Sequence, residues 1–271
     1  MDHTLASSLA GYLSILCWLI VFTPQLLENY KRKSGDGLSM TFLVIWLAGD
    51  VFNLLGVIMQ DLLVTMFVLA LYYTVADMAL IWQVIYYQRQ QKPIEEEVFP
   101  GESSVLIGPS SLPTYDTTTI SSATNKKTSQ AKKTRLFNWT SAIAIVLVTV
   151  ISCYTYYNAH WKHNHHNDDD TNRLNWLPQT MGWTSAALYV GSRIPQILKN
   201  YKHKSTEGLS FGMFICAVLG NVLFTSSIFL KSTEKSYILM NLSWIIGSTG
   251  TLIFDFIIFL QFFVYEKEIE K

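Results

Sequence analysis

The chain repeats itself. Phe-Thr-Pro-Gln-Leu-Leu-Glu-Asn-Tyr-Lys-Arg-Lys-Ser-Gly-Asp-Gly-Leu-Ser, from Phe22 to Ser39, returns from Arg193 to Ser210 as Arg-Ile-Pro-Gln-Ile-Leu-Lys-Asn-Tyr-Lys-His-Lys-Ser-Thr-Glu-Gly-Leu-Ser. The offset is 171 residues, and 11 of the 16 positions from Pro24 to Ser39 match their partners. Identities in order at one offset mark an internal duplication, so the fold must hold two like units and a connector. In each copy an apolar run ends in Pro-Gln, a short basic loop follows, and a second apolar run begins.

Charged residues gather in a few loops and leave long apolar runs between them. A run of about 20 residues at ~1.5 Å rise covers a ~30 Å hydrocarbon core. These runs lack the polar face of a soluble core helix. Seven helices are therefore predicted over 5–27, 38–59, 62–87, 137–157, 177–198, 209–230 and 237–264. Residues 1–87 form a first triple-helix bundle and 177–265 a second. The stretch 88–136 is rich in Ser, Thr, Lys, Glu and Pro and reads as a disordered linker. Residues 137–157 form a connecting helix, 158–176 a polar loop and 266–271 a charged tail. One extra helix between the units leaves both in the same orientation, a 3+1+3 arrangement of parallel repeats.

Lys31, Arg32, Lys33, Lys199, Lys202, Lys204, Lys126, Lys127, Lys132, Lys133 and Arg135 fall on one side of that arrangement. This is the cytosolic side by the positive-inside rule. The N-terminus then faces the lumen and the C-terminus the cytosol. The sequons at Asn138 and Asn241 are expected to stay unglycosylated. The first run has Asp2 and His3 in place of a basic n-region, and its repeat partner is internal, so it reads as a retained helix. Cys17, Cys153 and Cys216 lie in apolar runs and read as small buried side chains without disulfides. Net charge is zero, which gives no general attraction to nucleic acid.

Asp50, Asp77 and Asp255 stand inside apolar runs. A charged Asp at a helix centre costs ~2.5–3.5 kcal/mol on insertion scales, so such groups face a polar cavity. Asp50 has Asn221 as its repeat partner. Asp77 and Asp255 are partners as well, each followed by Gln and Tyr at six and ten residues (Gln83, Tyr87; Gln261, Tyr265). Three buried carboxylates make a cavity that prefers cations and has groups to take up protons. Asn53 and Asn221 are candidate amide ligands. Pro24 and Pro195 each remove a backbone donor and kink a helix. At matched positions they read as paired hinges, with Gln25 and Gln196 supplying a partner to the freed carbonyls.

The doubled Pro-Gln, the basic Tyr-Lys loop and Gly-Leu-Ser resemble the PQ-loop family of membrane transporters. Its members include cystinosin and the lysosomal and vacuolar exporters of cationic amino acids. The resemblance covers both hydrophobic thirds and not the middle loop. It implies a transporter that exports lysine, arginine or histidine to the cytosol, no enzyme activity, and Asp255 as the proton or substrate carboxylate. Rivals are a seven-helix nutrient-sensing receptor, a transporter of cystine or a sugar, and a trafficking scaffold. Glu102, Leu106 and Ile107 fit an acidic dileucine signal that adaptor coats read on the way to vacuole or lysosome. His160, His163, His165 and His166 with the acids at 168–170 match no closed metal site and read as a solvated loop. No cofactor is implied.

Overall fold

The computed structural model describes residues 3–59, 64–91, 117–165 and 176–269. Among these every regular element is helical: α1 (His3–Ile20), α2 (Phe22–Arg32), α3 (Met40–Met59), α4 (Val64–Gln91), α5 (Thr117–His165), α6 (Trp176–His203), α7 (Phe211–Lys231), α8 (Lys235–Met240) and α9 (Leu242–Ile269). Six helical stretches among the described residues are long and apolar enough to cross a membrane: Leu5–Arg32, Met40–Met59, Met66–Gln91, Lys132–Trp161, Phe211–Lys231 and Leu242–Tyr265. α6 falls outside that group. It carries Arg193, Gln196, Lys199 and two serines, and it lies between α3 and α9. A helix faced by protein on both sides can carry polar groups that lipid would reject.

The two repeats exchange partners. α1 lies along α7, and α6, the repeat partner of α1, lies along α3, the repeat partner of α7. Within each repeat the third helix joins the other two: α4 touches α2 and α3, and α9 touches α6 and α7. Lipid offers helices little hydrophobic reason to associate, so small residues and interhelical hydrogen bonds carry the pairing. Ser14 Oγ donates to the Gly220 carbonyl at 2.8 Å, and its partner Ser185 donates to the Gly49 carbonyl at 2.9 Å. Phe22, Leu38, Phe42, Leu43, Trp46, Leu80, Met213, Phe214 and Ile258 form the main buried cluster, which draws on both repeats.

Several boundaries differ from those read in the sequence. α4 runs to Gln91, and α5 takes in 117–136 and 158–165, stretches read as linker and loop. The segment 117–165 contains neither Gly nor Pro. Once its apolar middle is helical, each added residue gains a bond at little further cost. α5 packs on α4 and, less, on α3, and exposes Val146, Val150, Ile151 and Tyr154 on faces that suit acyl chains. Cys153 is exposed there, not buried.

The predicted first helix divides at Val21 into α1 and α2. Pro24 lacks the N–H that would bond to the Ile20 carbonyl. Its partner Pro195 sits inside α6, which runs through unbroken. The predicted last helix divides at Asn241, whose Nδ2 donates to the Tyr237 carbonyl at 2.9 Å. A short amide side chain competes in this way for helix carbonyls. Residues 60–61, the dileucine pattern at Glu102, Leu106 and Ile107, and the acids at 168–170 lie outside the described residues.

Candidate functional site

Two layers of polar groups join the repeats. The first is built on the repeated motif. Gln25 Nε2 donates to Asn29 Oδ1 at 2.8 Å and to the Gly208 carbonyl at 2.9 Å, and Gln25 Oε1 accepts from the Ser210 N–H at 2.7 Å. Gln196 repeats the pattern: Nε2 to Asn200 Oδ1 at 2.8 Å and to the Gly37 carbonyl at 3.0 Å, and Oε1 from the Ser39 N–H at 2.7 Å. Each Pro-Gln glutamine thus binds the Gly-Leu-Ser of the other repeat. The expectation that Gln25 and Gln196 serve the carbonyls freed by the prolines is corrected, because both amides are taken up across the repeat interface.

The layer extends to the third helices. Asn29 Nδ2 donates to Gln83 Oε1 at 3.0 Å, and Gln83 Nε2 to the Leu26 carbonyl at 2.9 Å. Asn200, Gln261 and Ile197 repeat this at 2.8 and 3.0 Å. At the middle the two loops touch through glycines. A Cβ on Gly37 would lie 2.0 Å from the Gly208 carbonyl carbon, and Gly208 has φ +75°. Only glycine allows that approach and that backbone. Lys33 and Lys204, at matched positions, take φ 52° and 49° at the ends of α2 and α6. Arg32 ties the rim to Glu207 at 2.9 Å, and the Lys199 ammonium donates to the Asp36 and Leu38 carbonyls.

The second layer holds the acids. Asp77 and Asp255 are 0 % exposed, Arg193 1 % and Asp50 2 %. Arg193 Nε donates to Asp255 Oδ1 at 3.1 Å, and its Nη1 donates to Ser192 Oγ at 3.0 Å. The guanidinium also lies 4.9 Å from the Trp46 ring centroid, which suits a desolvated cation. The Tyr189 hydroxyl donates to Asp50 Oδ1 at 2.7 Å. Asp50, Asp77 and Arg193 stand close enough to act on one another electrostatically. Among the described residues Asp50 Oδ2, both oxygens of Asp77 and Asp255 Oδ2 are buried with no hydrogen-bond partner. Buried acceptors are ordinarily bonded, so four orphaned carboxylate oxygens mark a place short of donors.

All three predicted acids therefore belong to one cluster. Asn221 takes another part: its Nδ2 donates to Thr251 Oγ1 at 2.9 Å. Asn53 lies half-buried about one turn beyond Asp50 on α3. Pro24 and Pro195 frame the first layer and do not line the acids. Sequence reasoning passed over Arg193, reading it as the first residue of the second motif copy. The signal was present, since an Arg inside an apolar run is as costly as an Asp there. It also passed over Tyr189, because a tyrosine in such a run carries no mark of its partner. His160 stacks on Tyr156 with centroids 6.0 Å apart, at the far end of α5. Among the described residues no three His, Cys, Asp or Glu side chains gather as metal ligands do.

The chain is 40% identical over 294 residues to the vacuolar lysine transporter of Saccharomyces cerevisiae, covering 98% of this chain and 96% of that protein. It is 38% identical to the vacuolar histidine transporter of the same yeast, over 96% of this chain and 92% of the relative. The human lysosomal amino acid transporter 1 homolog is 31% identical, over 95% of this chain and 81% of its own. The PQ loop repeat is matched over residues 6–66 and 177–237, with the same offset as the sequence repeat. The chain belongs to the PQ-loop family. Each PQ-loop repeat takes in one Pro-Gln, one Gly-Leu-Ser and one of the pair Asp50 and Asn221. Asp77 and Asp255 lie beyond both matches.

Proposed function

We propose that this PQ-loop protein is a transporter of the vacuolar or lysosomal membrane. It exports cationic amino acids (lysine, arginine or histidine) from lumen to cytosol by alternating access. The observation that carries the reading is the buried cluster of three carboxylates facing one guanidinium, with four carboxylate oxygens unbonded. Such a cavity is short of positive charge and of donors, and a cationic amino acid brings both. The names of the yeast and human relatives support the same substrate class and the same membranes.

Seven spans in a 3+1+3 order follow when α6 is counted as the partner of α1, with α5 as the connector. The basic loops then face the cytosol, the N-terminus the lumen and the C-terminus the cytosol. The basic-loop end is closed by the crossed glutamines and the Gly37–Gly208 approach, so release of substrate on that side requires those bonds to part. Pro24 and Pro195 stand next to the glutamines and act as the hinges about which the repeats rock. The acids take up protons as well as substrate. The dileucine at Glu102, Leu106 and Ile107 recruits an adaptor coat.

Flux of labelled lysine and arginine into liposomes holding the purified protein tests this reading. Saturable flux is expected from the wild type, lost in Asp77→Asn and in Asp255→Asn, and altered by an imposed pH gradient. Flux no greater than in empty liposomes from folded protein would refute a cationic substrate.

A further inference from the structure

The two repeats share a scaffold and differ at the residues that touch the acids. Asp77 and Asp255 occupy matched positions on the third helices, α4 and α9. On the first helices, the position that is Arg193 in the second repeat is Phe22 in the first. Phe22 is buried and stacks on Trp46, with centroids 5.2 Å apart. Asp255 therefore has a guanidinium from its own repeat, whereas the first repeat puts an apolar ring at the matched position, against Trp46 and Tyr72. The second helices differ as well. Asp50 keeps Oδ2 unbonded, while Asn221 at the matched position is neutral and donates to Thr251.

We infer that the cation-binding seat lies in the first repeat alone, between Asp50 and Asp77, and that Arg193 is a built-in counter-ion that withdraws Asp255 from it. This assignment rests on the cationic-substrate reading and adds where in the cluster the positive group goes. These two acids carry three buried oxygens without partners among the described residues, Asp50 Oδ2, Asp77 Oδ1 and Asp77 Oδ2, and they stand close enough to act on one another electrostatically. A primary ammonium has three donors and a guanidinium five, so either can satisfy them. Tyr189 holds Asp50 through Oδ1 and leaves Oδ2 to the ligand. Arg193 is a positioning residue. Its charge is matched by Asp255, and its guanidinium is held by Ser192 Oγ and by the Trp46 ring.

An opposite dependence on Arg193 separates this assignment from one in which Asp255 itself grips the substrate cation. Removing Asp255 leaves Arg193 buried without its counter-charge, and it then competes with ligand for the first-repeat acids. Removing Arg193 as well relieves that competition.

The experiment is equilibrium binding of labelled lysine to the full-length protein in lipid nanodiscs, with unlabelled arginine and histidine as competitors. Asp77→Asn is expected to weaken binding at least about tenfold, a change of ~1.4 kcal/mol. Asp255→Asn is expected to weaken it comparably, and Arg193→Gln added to Asp255→Asn to restore the wild-type constant to within about threefold, or ~0.6 kcal/mol. Wild-type affinity in Asp77→Asn, or a double variant as weak as Asp255→Asn, overturns the assignment and leaves the cationic-substrate reading standing. Folded wild-type protein that binds none of the three amino acids overturns that reading, and the seat with it. The double variant decides the matter alone if Asp77→Asn does not fold.

Discussion

Gln25 and Gln196 are both fully buried, and each makes three hydrogen bonds, two of them to the backbone of the other repeat. Truncating either to Ala leaves an N–H and a carbonyl buried without partners. Interhelical hydrogen bonds in membrane proteins average only ~0.6 kcal/mol, but an orphaned buried group costs about 1–3 kcal/mol. The orphan term is the larger here, because the Ser39 and Ser210 N–H groups have no water to turn to. Gln25→Ala and Gln196→Ala are each expected to lower stability by about 2 kcal/mol, with nearly equal effects, as read by denaturant unfolding in mixed micelles. Markedly unequal losses would show that the two halves of the network do not carry equal weight. The exposed Arg32–Glu207 pair at the rim is a different case, and its loss is expected to cost no more than about 1 kcal/mol.

Helices and the loops between them govern opening. The Gly37–Gly208 approach leaves no room for a side chain, so Gly37→Ala must push the two motif loops apart. The expected result is a looser basic-loop end. A cysteine at Ser210, buried in the native protein, should then react at least about tenfold faster with a membrane-impermeant thiol reagent, a shift of ~1.4 kcal/mol in the opening equilibrium. The prolines act at the same level. If they are hinges, Pro24→Ala and Pro195→Ala should slow turnover in liposomes while lysine affinity in nanodiscs stays near wild type. Equal turnover would make them static kinks. The break at Val21 and the unbroken α6 show that one local rule has two outcomes. Pro24 ends α1, whereas Pro195 is carried through by a helix packed between α3 and α9.

Over the whole molecule, the exchange of partners between repeats gives both a closed end and a central cluster. An acceptor sequon placed before α1 should be glycosylated in cells, whereas Asn138 and a sequon after α9 should not. Modification at Asn138 would invert the orientation read from the basic loops. Duplication, helix class, most helix cores and the membership of Asp50, Asp77 and Asp255 in one cluster were legible in the sequence. These depend on spacing along the chain and on the cost of charge in an apolar run, and both are local properties. The extension of α5 was not legible, because its Ser- and Lys-rich start has the composition of a linker and becomes helical by propagation from the apolar part. The crossing of each glutamine to the opposite Gly-Leu-Ser, and the pairing of Arg193 with Asp255, join residues 183, 159 and 62 apart. The sequence by itself determined that there are two like units with acids in their helices. Only the tertiary structure decided which acid is neutralised and which is left open, because that choice depends on whether Arg193 or Phe22 meets the third helix.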